Sequence, residues 1–101
     1  MLGKLPKKLR ATVELLNLKA TPPLPVKVVV GEPEGAHAAV EVSKGKFLIT
    51  LDRRLTASVA QHFLVHEWAH CLCWTGGSLL GEHSVPWAVV YARLYSLVFE
   101  D

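Results

Sequence analysis

The chain has 101 residues, half of them hydrophobic, and a formal net charge of +2. This length predicts a single domain over residues 1–101. No apolar run reaches the length that crosses a membrane, and basic residues and a proline stand where a signal peptide needs its apolar segment. The two cysteines, Cys71 and Cys73, are spaced badly for a disulfide on a helix. We therefore expect a cytoplasmic protein with reduced thiols and no membrane partner.

The first half of the chain predicts one helix and three strands. Apolar residues recur with helical spacing from Lys7 to Leu18, and a proline-rich stretch ends that helix. A β-branched run and two segments that flank a Ser-Lys-Gly-Lys turn predict three strands, the last two as a hairpin: Val26–Val30, Ala38–Val42 and Phe47–Leu51.

The second half predicts two helices. Thr56 or Ser58 can cap the first of them, and Ser58 with Gln61 matches a capping box. That helix is expected to run to about Trp74, where Gly76-Gly77 follows and stops it.

Ser84 is the predicted cap of the final helix, with Pro86 in its first turn. The order helix, three strands, helix, helix predicts an α+β fold with one small sheet backed by helices. The final helix is apolar on almost every side from Trp87 to Phe99, which suits a homo-oligomer interface.

Charge is distributed unevenly along the chain. Residues 1–54 carry ten Lys/Arg against five Asp/Glu, whereas the segment from Leu55 to Ala92 has no lysine or arginine. The only acids in that segment are Glu67 and Glu82, and four of the five histidines lie in it. A segment without solubilising charges is expected to be largely buried, and ionisable groups retained there usually have a specific partner or task.

The most informative motif is His66-Glu67-Trp68-Ala69-His70, which reads H-E-x-x-H. On a helix, residues four apart share one face, so the two imidazoles can bind one Zn²⁺. Glu67 follows the first histidine and is placed to take a proton from a zinc-bound water. The spacing predicts a zinc site with His66 and His70 as ligands and Glu67 as the catalytic residue.

A catalytic zinc needs a third protein ligand. The sequence offers Cys73, Glu82 and His83. Cys73 lies on the same helix as the first two ligands, where three ligands close poorly around one ion, and packing is the expected role for it. Glu82 and His83 follow a turn that can bring the chain back over the metal. The spacing by itself leaves the choice between these two open.

The motif and the segment Glu82-His83-Ser84-Val85-Pro86-Trp87 together resemble the SprT-like zincins. They resemble more closely the short HExxH metallopeptidase-like proteins of phages and prophages, which share a W-x-x-x-Y-A-R-x-Y run, here Trp87 to Tyr95. The resemblance covers about residues 45–95. The chain departs from the SprT-like pattern in having Ser84 where that pattern usually has glycine, and in lacking a C-terminal zinc ribbon.

The resemblance implies a minimal zincin-like fold and a zinc-dependent metallopeptidase with His83 as the third metal ligand. A zinc-activated water would hydrolyse the peptide bond, with Glu67 as general base. The peptide or protein substrate would lie extended along an edge strand, for which Ala38–Val42 is our choice. Nucleic acid is not an expected partner.

A second hypothesis is a non-catalytic, zinc-stabilised domain that binds a protein partner.

Side chains near the motif have less specific expected roles. His62 is expected to be an ordinary surface or core histidine, and Tyr91 and Tyr95 to pack. Arg93 is a candidate for an ion pair with Glu82.

Overall fold

The computed structural model describes residues 5–76 and 83–100. It contains three helices and three strands: α1 Lys7–Lys19, β1 Val26–Gly31, β2 Ala38–Ser43, β3 Lys46–Asp52, α2 Ala57–Cys73 and α3 Val85–Phe99. The α+β prediction is confirmed, as is the order of helix, sheet, helix and helix. Among the described residues, no helix has both the length and the apolarity needed to cross a bilayer.

The sheet has the strand order β1-β3-β2, so the last strand in sequence lies in the middle. β2 and β3 are antiparallel, with Val42 opposite Phe47, as predicted for the hairpin. β1 pairs parallel with β3 on the other side, with Val26 opposite Phe47. This arrangement makes β2 an edge strand of the sheet.

A tight turn at Lys44 and Gly45 joins the two strands of the hairpin. Both residues have positive φ, 53° and 76°. Two-residue hairpin loops favour this left-handed pair because its twist matches the twist of the strands, and glycine adopts it without steric cost.

The core lies between one face of the sheet and the helices. Phe47, Ile49 and Leu51 alternate along β3 and are fully buried, whereas the residues between them are partly exposed. α2 packs against β2, β3 and both other helices. Its Trp68 is fully buried, and the indole N–H donates a hydrogen bond of 2.9 Å to the carbonyl of Ala20, just after α1. The central helix is therefore held from several sides.

The caps of both helices are among the residues predicted for them. Ser84 caps α3 by accepting a hydrogen bond from the Trp87 backbone N–H, as predicted. Thr56, one of the two predicted caps of α2, accepts a hydrogen bond from the Val59 backbone N–H, whereas the Ser58–Gln61 capping box is wrong because α2 begins at Ala57. α2 ends at Cys73, three residues before Gly76, and Gly77 lies outside the described residues.

Candidate metal centre

Two helices bring three histidines together. His66 and His70 lie on consecutive turns of α2, and His83 directly precedes the Ser84 cap of α3. One potential ligand atom from each histidine lies within 4.8 Å of the others. The three histidines named from the sequence are thus close enough to hold one metal ion.

The spacing of the ring nitrogens is near that around a tetrahedral ion. His66 Nε2 and His83 Nε2 are 3.0 Å apart, and all three ligand atoms lie within 4.8 Å of one another. Two nitrogens bound to one zinc at the usual bond length are separated by about 3.3–3.4 Å, so the close pair would move slightly apart on binding and any wider pair would move closer. Three imidazoles are also a donor set that zinc prefers, with a fourth position left for water.

Burial keeps the imidazoles of α2 in the form that binds metal. It lowers the pKa of His70 to about 4, assisted by the positive charges that His66 and His83 would carry. Burial also lowers the pKa of His66, and His83 adds to that shift. Both rings are therefore neutral at physiological pH, with a nitrogen lone pair available to a cation.

Glu67 lies beside the histidines and is largely buried. Its Oε2 is 3.8 Å from His66 Nε2. Since His66 is neutral at physiological pH, this contact is not an ion pair. Burial raises the pKa of Glu67 to about 7, because the charged carboxylate loses hydration. A divalent cation held by the imidazoles would oppose that shift. The Glu67 carboxyl group thus lies beside the His66 nitrogen that faces His83.

The cysteines of α2 are not part of the histidine cluster. Both thiols are free, and burial raises the pKa of Cys71 to about 12, so this thiol stays protonated. The pKa of Cys73 is raised by burial as well. Among the described residues, the cluster of potential ligands does not include Cys73, and its packing role stays a prediction. Glu82, the rival third ligand, and its suggested ion pair with Arg93 lie outside the described residues; Arg93 itself is exposed.

Trp87 is the aromatic residue that touches the whole cluster. Its ring centroid lies 4.9 Å from that of His66, 5.2 Å from His70 and 4.6 Å from His83. Its indole N–H is buried and has no hydrogen-bond acceptor among the described residues. A buried donor without an acceptor is costly, and here it lies against three imidazoles, which is consistent with a polar ligand completing the site.

A row of aromatic rings continues from Trp87 along α3, and the sequence prediction missed it. Trp87 stacks on Tyr91 at 5.1 Å, Tyr91 meets Tyr95 at 6.2 Å, and Tyr95 meets Phe99 at 4.7 Å. His62 of α2 stacks on Phe99, with centroids 4.1 Å apart and planes 9° apart. We call these five residues the ring ladder. The signal was present in the sequence, since every fourth residue from position 83 to 99 carries a ring.

Comparison of the chain with protein-family models, with curated proteins and with solved structures gives no match. The functional interpretation of the site therefore depends on its residues and their geometry.

Proposed function

We propose that the protein is a zinc-dependent metallopeptidase with His66, His70 and His83 as metal ligands. The observation that carries the proposal is the convergence of three imidazoles within 4.8 Å, beside a buried carboxylate. A structural zinc site is usually closed by four protein ligands, whereas three histidines leave the position that a catalytic site needs.

The residues of the chain would divide the chemistry between them. Bound zinc would act as a Lewis acid that polarises the substrate carbonyl and lowers the pKa of a water ligand. Glu67 would accept a proton from that water and transfer it to the leaving amine. Its burial beside the three imidazoles suits a group that must both take and release a proton there. Trp87 would orient the three imidazoles through ring contacts.

The substrate would bind along β2. The main-chain groups on the outer side of an edge strand are free to pair with an extended peptide. β2 lies at the edge of the sheet and packs against α2, the helix that carries His66 and His70. This supports the choice of Ala38–Val42 as the strand that would hold the peptide beside the metal.

The test combines metal analysis with one substitution. We expect one zinc per chain in the purified protein, and loss of that zinc in the His66→Ala variant. Glu67→Gln should retain zinc and the fold but lower peptide hydrolysis by at least about two orders of magnitude, the usual scale for loss of a general base. Glu14→Gln, at an exposed position of α1, is the matched control and should leave hydrolysis unchanged. Equal rates for Glu67→Gln and the parent protein would refute the mechanism.

A non-catalytic, zinc-stabilised binding domain is the second candidate function. The observation that favours it is the apolar outer face of α3, where the side chains of Val85 and Val89 are 78% and 47% exposed. Such a domain would bind zinc without hydrolysing peptides, and Glu67→Gln would leave partner binding intact. Substitution of Val89 with a charged residue would weaken partner binding but leave a peptidase active.

A further inference from the structure

The ring ladder continues from the candidate metal centre as a row of rings along the seam of α2 and α3. Tyr91, Tyr95 and Phe99 are each partly exposed, and His62 is exposed. His62 also meets Tyr95 at 5.8 Å, so both helices contribute to this aromatic surface. Partly exposed aromatic rings bind apolar and aromatic side chains by stacking and by burial of apolar area.

The charge of the seam favours a peptide over a nucleic acid. Single-stranded nucleic acids also stack on aromatic rings, but their binding depends on lysine and arginine along the backbone path. Neither residue occurs between Leu55 and Ala92. Arg93, the first cation after that segment, lines a different cavity together with Lys19 and Leu97.

The spacing of the ladder matches an extended peptide. Successive rungs on α3 are four residues apart, which is a rise of about 6 Å along the helix. Every second residue of an extended chain points to the same side, at a repeat of roughly 6.4–6.8 Å. The Tyr91 and Tyr95 rings, 6.2 Å apart, can therefore each meet one of two alternate peptide side chains. Phe99, 4.7 Å from Tyr95, would contact the second of them together with Tyr95.

The direction of the ring ladder relative to β2 follows from contacts at the two ends of β2. His37, just before β2, contacts Phe63 in the first half of α2, with ring centroids 5.5 Å apart. Phe47, opposite Val42 at the other end of β2, contacts Trp74 just after α2, at 5.4 Å. β2 and α2 thus run in the same direction. The ladder leaves the histidine cluster towards His62, and so towards the beginning of β2.

A peptide paired with β2 in the more stable antiparallel sense would run from Val42 towards Ala38. It would pass the histidine cluster first and the ring ladder afterwards. The residues over the ladder would then be those on the C-terminal side of the bond at the metal.

We propose that the ring ladder is a substrate-recognition surface that selects peptides with large apolar or aromatic side chains at alternate positions after the cleaved bond. Tyr91 would contact the first of these side chains, and Tyr95 with Phe99 would contact the third. This inference rests on the proposed peptidase function, which supplies the position of the bond.

The test is cleavage-site profiling of a peptide library by mass spectrometry with the zinc-loaded protein. We expect aromatic and large aliphatic residues to be enriched at the first and third positions after the cut. Tyr95→Leu and Phe99→Leu keep an apolar side chain for packing but remove the flat ring. Each should lower the preference at the third position by roughly two- to tenfold, the range for one aromatic pair, and leave the first position unchanged. Val89→Ala, on the outer face of α3, is the matched control.

A binding experiment separates failure of this inference from failure of the peptidase proposal. The zinc-loaded Glu67→Gln protein is titrated with a peptide that has phenylalanine at alternate positions, and with the same peptide carrying alanine there. Tighter binding of the phenylalanine peptide, weakened by Tyr95→Leu, supports peptide recognition by the ring ladder even if no hydrolysis is detected. Equal binding of the two peptides overturns it, as does an unchanged third-position preference in both leucine variants. The proposal would also be overturned if the protein bound an oligo-dT strand and Tyr95→Leu weakened that binding but left peptide binding unchanged.

Discussion

Replacing His83 with alanine tests the metal centre most directly. His83 is exposed and lies before α3, so its side chain contributes little to the packing of the core. It nevertheless supplies the only candidate ligand that the described part of the chain adds from outside α2. We expect His83→Ala to leave the stability of the protein in chelator almost unchanged, and to remove most of the stabilisation that zinc provides.

The size of this effect follows from linkage between binding and folding. A metal at a hundred times its dissociation constant stabilises the native state by about 2.7 kcal/mol. For a domain of this size, that corresponds to a rise in melting temperature of roughly 11–22 °C. Removing a residue that is hydrogen-bonded to a metal ligand weakens metal binding by about ten- to a hundredfold. Removing a ligand itself should therefore lower the zinc affinity by at least about a hundredfold. At the same zinc concentration, the stabilisation would then fall to about 0.4 kcal/mol or less.

The assay is thermal unfolding with zinc and with chelator, for the parent, His83→Ala and Glu82→Ala. If Glu82 acts through a ligand instead of binding the metal, Glu82→Ala should keep up to about half of the zinc-dependent stabilisation, about 1.4 kcal/mol for a tenfold loss of affinity. A full rise in melting temperature for His83→Ala, together with its loss in Glu82→Ala, would reverse the assignment of the third ligand.

Two further substitutions test the framework around the site. Trp68→Phe removes the donor to the Ala20 carbonyl and part of a fully buried ring, and should destabilise the protein by about 1–3 kcal/mol in urea unfolding; an effect below about 0.5 kcal/mol would contradict this anchoring role. Asp52 accepts three hydrogen bonds from Arg54, which lower its pKa from 3.8 to about 2. Because the pKa of Asp52 is lower in the folded than in the unfolded state, the ionised carboxylate stabilises the fold at pH values above its unfolded pKa. This contribution is lost as the pH falls from about 4 to 2. Asp52→Asn should therefore be less stable than the parent at pH 7, and the difference should shrink at pH 3; an equal difference at both values would exclude the linkage.

The local elements of the fold could be predicted from the sequence because their signals are local. The hairpin follows from alternating apolar residues around Lys44 and Gly45, and the start of α3 follows from Ser84 and Pro86. The position of β1 could not be predicted in this way. Its parallel pairing with β3 depends on contacts between segments about twenty residues apart, which no turn signal specifies.

The candidate site shows the same division. His66, Glu67 and His70 are linked by helical spacing, and that spacing alone predicts that they share a region of α2. The ring ladder depends on how α3 lies against α2, and the expectation that His62 is an ordinary histidine did not include its stack on Phe99. The sequence left the cap of α2 open between Thr56, which the structure has, and Ser58, because two neighbouring hydroxyl residues both satisfy the same pattern.

The central position of β3 has a consequence for the order of folding. The β2–β3 hairpin closes a two-residue turn and can form within microseconds, whereas β1 must find β3 across a longer loop, at a higher entropic cost. α2 follows β3 after a short connection, so the hairpin and the helix with His66 and His70 can assemble as one contiguous nucleus. We expect Gly45→Ala, which strains the turn at a positive φ, to slow folding more than it speeds unfolding in stopped-flow measurements. A larger change in the unfolding rate than in the folding rate would mean that the hairpin forms after the transition state of folding. A nucleus of this kind would let the metal-binding helix form before the N-terminal segment has docked.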